Sequence, residues 1–445
     1  MSRPIITPHT LRGFRDLLPA DATVQRVMLR RIEDSFSSYG FLPIVTPALE
    51  YVEILKGKSG EESDTGLFEF ADRGGRQVAL RYDLTVPLAR YVAQHRNELT
   101  FPFRASQIGY VWRGDRPQKG RYRELIQCDA DIIGATGPVV DSEIIALIHA
   151  TLLRLGIGEF TIRLNDRRLL DALLTGLGVQ AGTVPVLRAI DKLEKIGPAG
   201  VERELLDIGL ETEAVKRVLD FVSAGGSRST AQLDDVAPMV EPHGAGAQAI
   251  DGLREVFELL VAGGVPRERF VFDPSIARGL DYYTGIVFET TLAQAPDIGS
   301  VSSGGRYDDL AGVFTRARLP GVGGTVGISR ILGGLERGEI VGELAEVLPL
   351  VVVTVPEDAT LRPAAVALAR TLRNGTVAAQ VELFPGEQAH RKQMKYSDSR
   401  GARAVLTLDS ADRVLVKDMA GGGTVVTAPD GVAAALGAIL GRAPE

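Results

Sequence analysis

The segment Trp112-Arg113-Gly114-Asp115-Arg116-Pro117-Gln118-Lys119-Gly120-Arg121-Tyr122-Arg123-Glu124 is the part of the chain best equipped for chemistry. Between Arg113 and Arg123 it sets five cations (Arg113, Arg116, Lys119, Arg121, Arg123) against one acid, Asp115. Guanidinium forks grip phosphate oxygens two at a time, and lysine adds a point charge. On the stretch that follows, Gln127, Asp129 and Asp131 alternate, so on a strand all three point to one face. Carboxylates and an amide carbonyl accept hydrogen bonds from an amine. A hairpin with a cationic tip and one acidic strand face therefore suits a ligand carrying both a polyphosphate and an ammonium group. The plainer alternative for such a run is a solvated charged loop.

Two more arginines stand beside glycines: Arg278 in Ala277-Arg278-Gly279-Leu280 and Arg330 in Gly327-Ile328-Ser329-Arg330. Glycine lets a backbone approach a ligand closely. Taken singly, each of these arginines reads more readily as a salt-bridged structural residue. Near them in sequence lie Asp281-Tyr282-Tyr283-Thr284-Gly285 and Ser303-Gly304-Gly305-Arg306-Tyr307-Asp308. Their aromatic hydroxyls and small residues could line a pocket for a planar polar side chain, although tyrosine in a strand is also ordinary packing. The chain has no Gly-x-Ser-x-Gly, no cysteine with a partnering histidine and no Walker Gly-Lys-Ser/Thr. This inventory favours phosphate chemistry run by positioning and fixed charge over general acid–base work.

These residues need a scaffold. At 445 residues two or three domains are expected. Hydrophobic content of 45% and charged content of 24% are globular values. The net charge of −7 argues against a general nucleic-acid coat but leaves room for local basic patches. With one cysteine, Cys128, there is no internal disulfide, and the five histidines never fall at ligand spacing, so no metal site built by protein side chains is expected. Residues 1–14 lack the apolar core of a signal peptide, and the longest apolar run, 347–355, is too short to span a bilayer. A soluble, cytoplasmic protein with no membrane association is expected.

Along the chain, Asp21 can cap a helix with apolar positions Val24, Val27, Met28, Ile32 and Phe36, stopped by Gly40. Strands are predicted over 41–45, 68–70, 78–81, 101–112 and 124–133, and helices over 83–96 and 141–155, followed by a strand over 159–164. From about 166 to 260 strand signals vanish and helical periods alternate with glycine-rich breaks, as in an inserted helical module. Strand texture returns over 269–273 and 282–290, then a glycine-dense stretch leads into a helix over 328–335. Residues 337–346 read as a linker. Beyond them strands (350–355, 378–384, 403–408, 413–417) alternate with helices (358–373, 387–400) in a compact α/β unit over 347–445.

Together these segments resemble histidyl-tRNA synthetases, which are class II aminoacyl-tRNA synthetases, over nearly the whole chain. The match begins at Leu11-Arg12-Gly13-Phe14-Arg15-Asp16. It runs through a unit ending at Pro47 that is similar to the class II dimer-interface motif. It continues in Leu80-Arg81-Tyr82-Asp83-Leu84-Thr85-Val86-Pro87, the Arg113 hairpin, and Gly327 to Arg330. Its most specific parts are Arg278-Gly279-Leu280-Asp281-Tyr282-Tyr283-Thr284-Gly285 and Gly304-Gly305-Arg306-Tyr307-Asp308. The fold so implied is an α+β class II catalytic core, an antiparallel sheet flanked by helices, over residues 1–336 with the helical insertion. A C-terminal α/β anticodon-binding domain would follow over 347–445.

The resemblance also implies roles. Asp83, Thr85 and Gln127 would take the histidine α-amino group. Asp131 and Tyr283 would take the imidazole nitrogens, with Tyr282 beside them. Arg113, Arg121, Tyr122, Glu124 and Arg330 would bind ATP, and Arg116, Gln118, Lys119 and Arg123 the tRNA. Arg278 and Arg113 would be the catalytic cations, Arg278 lying between the carboxylate and the α-phosphate. ATP with Mg2+, L-histidine, tRNA(His) and a second copy in a homodimer are the implied partners. Many bacterial members carry Glu where this chain has Asp83 and Asp131, a pattern similar to the eukaryotic-like branch. A second reading is the non-catalytic paralogue, the regulatory subunit of ATP phosphoribosyltransferase. That paralogue typically lacks the C-terminal domain, whereas this chain has one, including His390-Arg391-Lys392-Gln393-Met394-Lys395-Tyr396.

Overall fold

In the computed structural model the described residues are 6–56, 66–115, 122–179, 182–224, 231–276, 282–338, 340, 348–375 and 377–441. Arg116, Gln118, Lys119, Arg121 and Arg278 lie outside them. The chain divides into two compact units, Met1–Ala345 and Glu346–Glu445.

The first unit is organised by an eight-stranded sheet in the order β1-β5-β6-β11-β10-β9-β7-β8. Its strands are β1 (Leu42–Pro43), β5 (Phe103–Trp112), β6 (Glu124–Ile133), β7 (Phe160–Asp166), β8 (Phe270–Phe272), β9 (Ile286–Leu292), β10 (Ser302–Tyr307) and β11 (Gly321–Val326). Pairing is antiparallel except at the two edges, β1 with β5 and β7 with β8. A small sheet, β2 (Leu49–Tyr51), β4 (Gln77–Leu80) and β3 (Phe68–Ala71), lies in sequence between β1 and β5.

Alternation divides the long strand β6 cleanly. Ile126, Cys128, Ala130 and Ile132 join a buried cluster with Met28, Ile32 and Phe36 of α1 (Pro19–Ser38) and Ile144, Ile145 and Ile148 of α4 (Pro138–Leu155). That leaves Gln127, Asp129 and Asp131 to the other face. Two short helices complete this half: α2 (Val52–Leu55), and α3 (Thr85–Gln94) with Pro87 in its first turn. Helix α1 starts three residues earlier than the sequence suggests. Its first residue is Pro19 and its cap residue Leu18 makes no side-chain bond, so Asp21 sits in the first turn rather than capping it. Proline pre-set at the first helical position explains the earlier start.

Between β7 and β8 the chain is helical. It forms α5 (Arg167–Gly176), α6 (Thr183–Ile190), α7 (Leu193–Asp207, broken at Gly197), α8 (Thr212–Ser223), α9 (Ala231–Val240) and α10 (Gly246–Ala262). Asp166 caps α5 by accepting from Arg168 N at 2.9 Å. After β11 comes α11 (Ile328–Glu336).

The glycine-dense stretch differs most from the sequence expectation, for residues 302–307 and 321–326 are themselves the central strands β10 and β11. Glycine is disfavoured in strands because it packs nothing. Here close neighbours require it. A Cβ on Gly304 would lie 2.4 Å from Phe288 Cζ and 2.2 Å from Gly323 O.

The second unit has a five-stranded sheet in the order β13-β12-β14-β15-β16. The strands are β12 (Leu350–Val353), β13 (Gln380–Leu383), β14 (Ala404–Ser410), β15 (Arg413–Asp418) and β16 (Thr424–Thr427), with α12 (Arg362–Asn374), α13 (His390–Ser399) and α14 (Val432–Leu440). Strands β12, β13 and β14 run parallel, and β14, β15 and β16 antiparallel. On α13, Gln393 is buried and bonds both the N–H (2.8 Å) and the carbonyl (2.7 Å) of Val355, whereas Arg391, Lys392 and Lys395 are exposed.

Candidate active site

The polar face of β6 is walled by β11. In the ladder Gly323 stands opposite Asp131 and Thr325 opposite Asp129. A side chain at Gly323 is impossible without rearrangement, because its Cβ would lie 1.8 Å from Asp131 Oδ1. On β10, Gly305 makes room in the same way for Tyr283, whose ring would come within 2.9 Å of a Cβ there. Both glycines leave room on this face of the sheet for those two side chains.

Close to this face lie the residues the sequence singled out for the amino acid. Asp83, Thr85, Gln127 and Asp131 are all buried. Asp83 precedes α3 and its Oδ1 accepts from Val86 N at 2.9 Å, while its buried Oδ2 has no hydrogen-bond partner. Gln127 Nε2 donates to the two Asp129 oxygens at 3.4 and 3.3 Å, and its buried Oε1 is likewise unfilled. Such unpaired acceptors cost free energy when a buried site is empty and mark where a donor belongs. Tyr307 Oη donates to Asp131 Oδ1 at 2.5 Å. The Tyr282 ring packs edge-on against Tyr283 (5.0 Å between centroids) and Tyr307 (5.8 Å).

Three carboxyl groups buried close together perturb each other. Burial raises the Asp83 carboxyl, with Val86 N–H and Arg113 pulling the other way. Burial and then the Asp131 charge push Asp129 well above the ordinary carboxylate range. Burial pushes Asp131 up to about 7 against the Tyr307 hydrogen bond. Burial and the same carboxylates also raise the Tyr283 hydroxyl. This cluster of acids is short of positive charge, which is what a ligand ammonium supplies.

Arg113 links this pocket to the hairpin. Its Nε donates to Tyr82 O at 3.2 Å and its guanidinium lies 4.7 Å from the Tyr82 ring centroid. Trp112 Nε1 donates to Glu124 at 2.8 Å. Tyr122 is covered by the Arg15 guanidinium at 4.2 Å, and Arg15 pairs with Glu336 at 2.8 Å. Arg123 turns toward the backbone, with Nε to Asp115 O at 3.1 Å, and its own N–H bonds Gly13 O at 2.7 Å. On α11, Arg330 Nη1 donates to Ser300 O at 2.6 Å, and the Ser329 hydroxyl accepts from Ile126 N at 3.3 Å, tying that helix to β6.

Two buried arginines in the matched segments bond within the fold. Arg81 donates to Tyr110 O (2.8 Å) and Thr46 O (2.7 Å). Arg306 grips Asp141 at 2.6 Å and Asp308 at 3.1 Å. Two pocket residues carry no assignment from the sequence. Tyr307 reaches Asp131 only through the β10–β11–β6 register, across 176 residues. Asp129 stands on the site face, as its alternation with Gln127 and Asp131 predicts, and only the resemblance leaves it without a role.

A family model for histidyl-tRNA synthetase matches residues 13–331. The histidine--tRNA ligase of Rhodopirellula baltica is 44% identical over 401 residues, covering 89% of each chain. The crystal structure of histidyl-tRNA synthetase from Nostoc sp. PCC 7120 superposes with a TM-score of 0.84 at 32% identity, covering 97% of this chain and 99% of that one. A Bacillus halodurans structure described as an ATP phosphoribosyltransferase regulatory subunit/histidyl-tRNA synthetase reaches 0.75 at 23% identity over 91% of this chain and 99% of that one, a likeness of fold.

Proposed function

The chain belongs to the histidyl-tRNA synthetase family, joining L-histidine to its cognate tRNA at the expense of ATP, and from that premise we propose how its residues divide the work. Asp83 Oδ2 and Gln127 Oε1, the two buried acceptors without partners, receive the α-ammonium of histidine together with Thr85. Asp131, held by Tyr307, and Tyr283 read the imidazole nitrogens, with Tyr282 packed alongside. The carboxylate of histidine then attacks the α-phosphorus of ATP in line. Pyrophosphate leaves and histidyl-adenylate forms. The developing charge is met by Arg113 and Arg278. Arg121, Tyr122, Glu124 and Arg330 serve the nucleotide, and Arg116, Gln118, Lys119 and Arg123 the acceptor end of the tRNA.

We assign no acid–base pair to this step, because positioning and fixed charge supply the rate enhancement. Mg2+ would accompany ATP, offsetting charge on its phosphate oxygens. Glu124 on β6 is a hard oxygen ligand of the kind such a cation accepts. The domain bounds we propose are 1–336 for the catalytic part and 347–445 for the anticodon-binding part.

We further propose a cytoplasmic homodimer. Among the described residues no helix is long and apolar enough to cross a membrane. The β2-β4-β3 sheet carries exposed Leu49, Tyr51 and Phe70, Tyr51 and Phe70 flanking Val78 in one cross-strand line. With Val45 at 91% exposure these form apolar surface suited to a second copy.

The observation that carries the site reading is the pair of unfilled acceptors. Calorimetric titration of histidine into the protein and into Asp83→Asn tests it. Loss of about tenfold or more in affinity is expected for a charged hydrogen bond removed, and unchanged affinity would contradict the placement of the amine.

A further inference from the structure

Asp129 lies on the site face yet has no role in the division of work given above. It is 3% exposed. Its two oxygens take the whole N–H end of the Gln127 amide, at 3.4 and 3.3 Å. Held ionised by a ligand ammonium nearby, Asp129 can only accept, so it fixes which end of the amide faces it. The carbonyl end is thereby turned away from Asp129, and that is the atom found buried with no partner. Without Asp129 the Gln127 amide has no reason to prefer this orientation. Flipped, it would present donors to a cationic amine and repel it.

The surroundings agree with that duty. Facing Asp129 from its own strand are Gln127 and Asp131. From β11 comes Thr325, opposite it in the ladder, and from β5 Gln107, also opposite. Gln107 is engaged elsewhere, donating to Leu84 O at 3.1 Å and accepting from the Thr46 hydroxyl at 3.1 Å. The charges felt there are those of Asp83, Asp131, Arg81 and Arg113. The Arg81 guanidinium donates to carbonyls of Thr46, Pro47 and Tyr110. The pocket therefore keeps a buried acid that holds a ligand-facing amide with both its oxygens, the neighbouring Thr325 hydroxyl being its other side-chain support. Desolvating a carboxyl costs several kcal/mol unless something compensates, and the fold alone gives little return for it.

We propose that Asp129 is a positioning residue of the amino-acid site, locking the Gln127 amide with its oxygen toward the ligand and adding the buried negative charge that selects a free α-ammonium group. This inference rests on the placement of the α-amino group at Gln127 proposed above. It acts on histidine binding and leaves the ATP side alone.

The test is steady-state pyrophosphate exchange by the full chain for wild type, Asp129→Ala, Gln127→Ala, the double variant and Asp129→Asn. Asp129→Ala is expected to raise KM for histidine by about tenfold or more, the size of one charge-assisted hydrogen bond. KM for ATP should stay within about twofold of wild type, and the melting temperature should not fall. In the Gln127→Ala background the same change should add less than about threefold, because the two residues act as one unit. Two results would overturn the proposal: unchanged KM for histidine in Asp129→Ala while Gln127→Ala raises it, or full additivity of the two changes. A lowered melting temperature with both KM values shifted would also overturn it, as the mark of a merely structural acid. If Gln127→Ala itself leaves KM for histidine unchanged, the site reading fails before this inference is reached. Should Asp129→Ala not fold, Asp129→Asn decides. Its amide can offer Gln127 an N–H instead of an acceptor, so KM for histidine should still rise, and an unchanged value overturns the proposal.

Discussion

Tyr307 on β10 and Asp131 on β6 are joined by a 2.5 Å hydrogen bond that spans β11, the strand between them. Gly323 of that intervening strand makes the contact possible, since any side chain there would occupy the space of the Asp131 carboxylate. One strand supplies the acid, the next supplies absence of bulk and the third supplies the hydroxyl that aims it.

That hydrogen bond sets a pH dependence. Burial pushes the Asp131 carboxyl up to about 7, and Tyr307 works against the rise. Ionised Asp131 is the form that accepts from an imidazole N–H, so KM for histidine should fall as pH increases from about 6.5 to 8. Tyr307→Phe removes the lowering influence and should move this profile upward by about one to two pH units, the equivalent of one charged hydrogen bond. Stability of the free protein should run the opposite way. A carboxyl raised on folding adds stability below its unfolded value near 4, and that contribution fades as pH rises towards about 7. A KM profile for Tyr307→Phe that coincides with wild type would refute the coupling.

Gly323→Ala should cost the histidine site far more than the rest of the protein. The new methyl would meet Asp131 Oδ1 at 1.8 Å and Ala130 O at 3.0 Å, so the strand or the carboxylate must move. Overpacking of this kind costs about 1–3 kcal/mol of stability. Thermal melts should show that loss, and pyrophosphate exchange should show a KM for histidine raised by about a hundredfold, the typical penalty of a displaced binding group. A near-normal KM would mean the floor of the site lies elsewhere.

Arg278 is expected to carry fixed charge to the α-phosphate. Arg278→Ala should slow adenylate formation by about two orders of magnitude or more, as for loss of one preorganised electrostatic group, with the fold intact. Single-turnover kinetics with a circular dichroism melt would separate the outcomes. Near-normal activation contradicts the role, and unfolding by about 3–5 kcal/mol would mark a structural arginine with a buried partner.

The homodimer should be visible by light scattering at micromolar concentration. Val45→Asp with Tyr51→Asp, placed on exposed apolar positions, should shift the mass toward the monomer. A fully active wild-type monomer would contradict the assembly.

Much of this architecture is legible in the sequence where periodicity is strong. The β5–β6 hairpin and the Gln127, Asp129, Asp131 alternation follow from a period of two, and α1 from the spacing of Met28, Ile32 and Phe36. The central strands β10 and β11 were hidden because glycine lowers strand propensity, and only the neighbours Phe288, Tyr283 and Asp131 explain why glycine is needed. The role of Tyr307 depends on register between strands distant in sequence, which local patterning does not encode. The small strand β2 (Leu49–Tyr51) has too few residues to show alternation.

The most direct measurement is ATP–pyrophosphate exchange by the purified full chain with each of the twenty amino acids, followed by charging of tRNA(His) transcripts. Exchange should appear only with L-histidine, and the transcript should then be aminoacylated. Histidine binding with no exchange would instead identify a regulatory paralogue and contradict the assignment of Arg113, Arg278 and Arg330 to ATP activation.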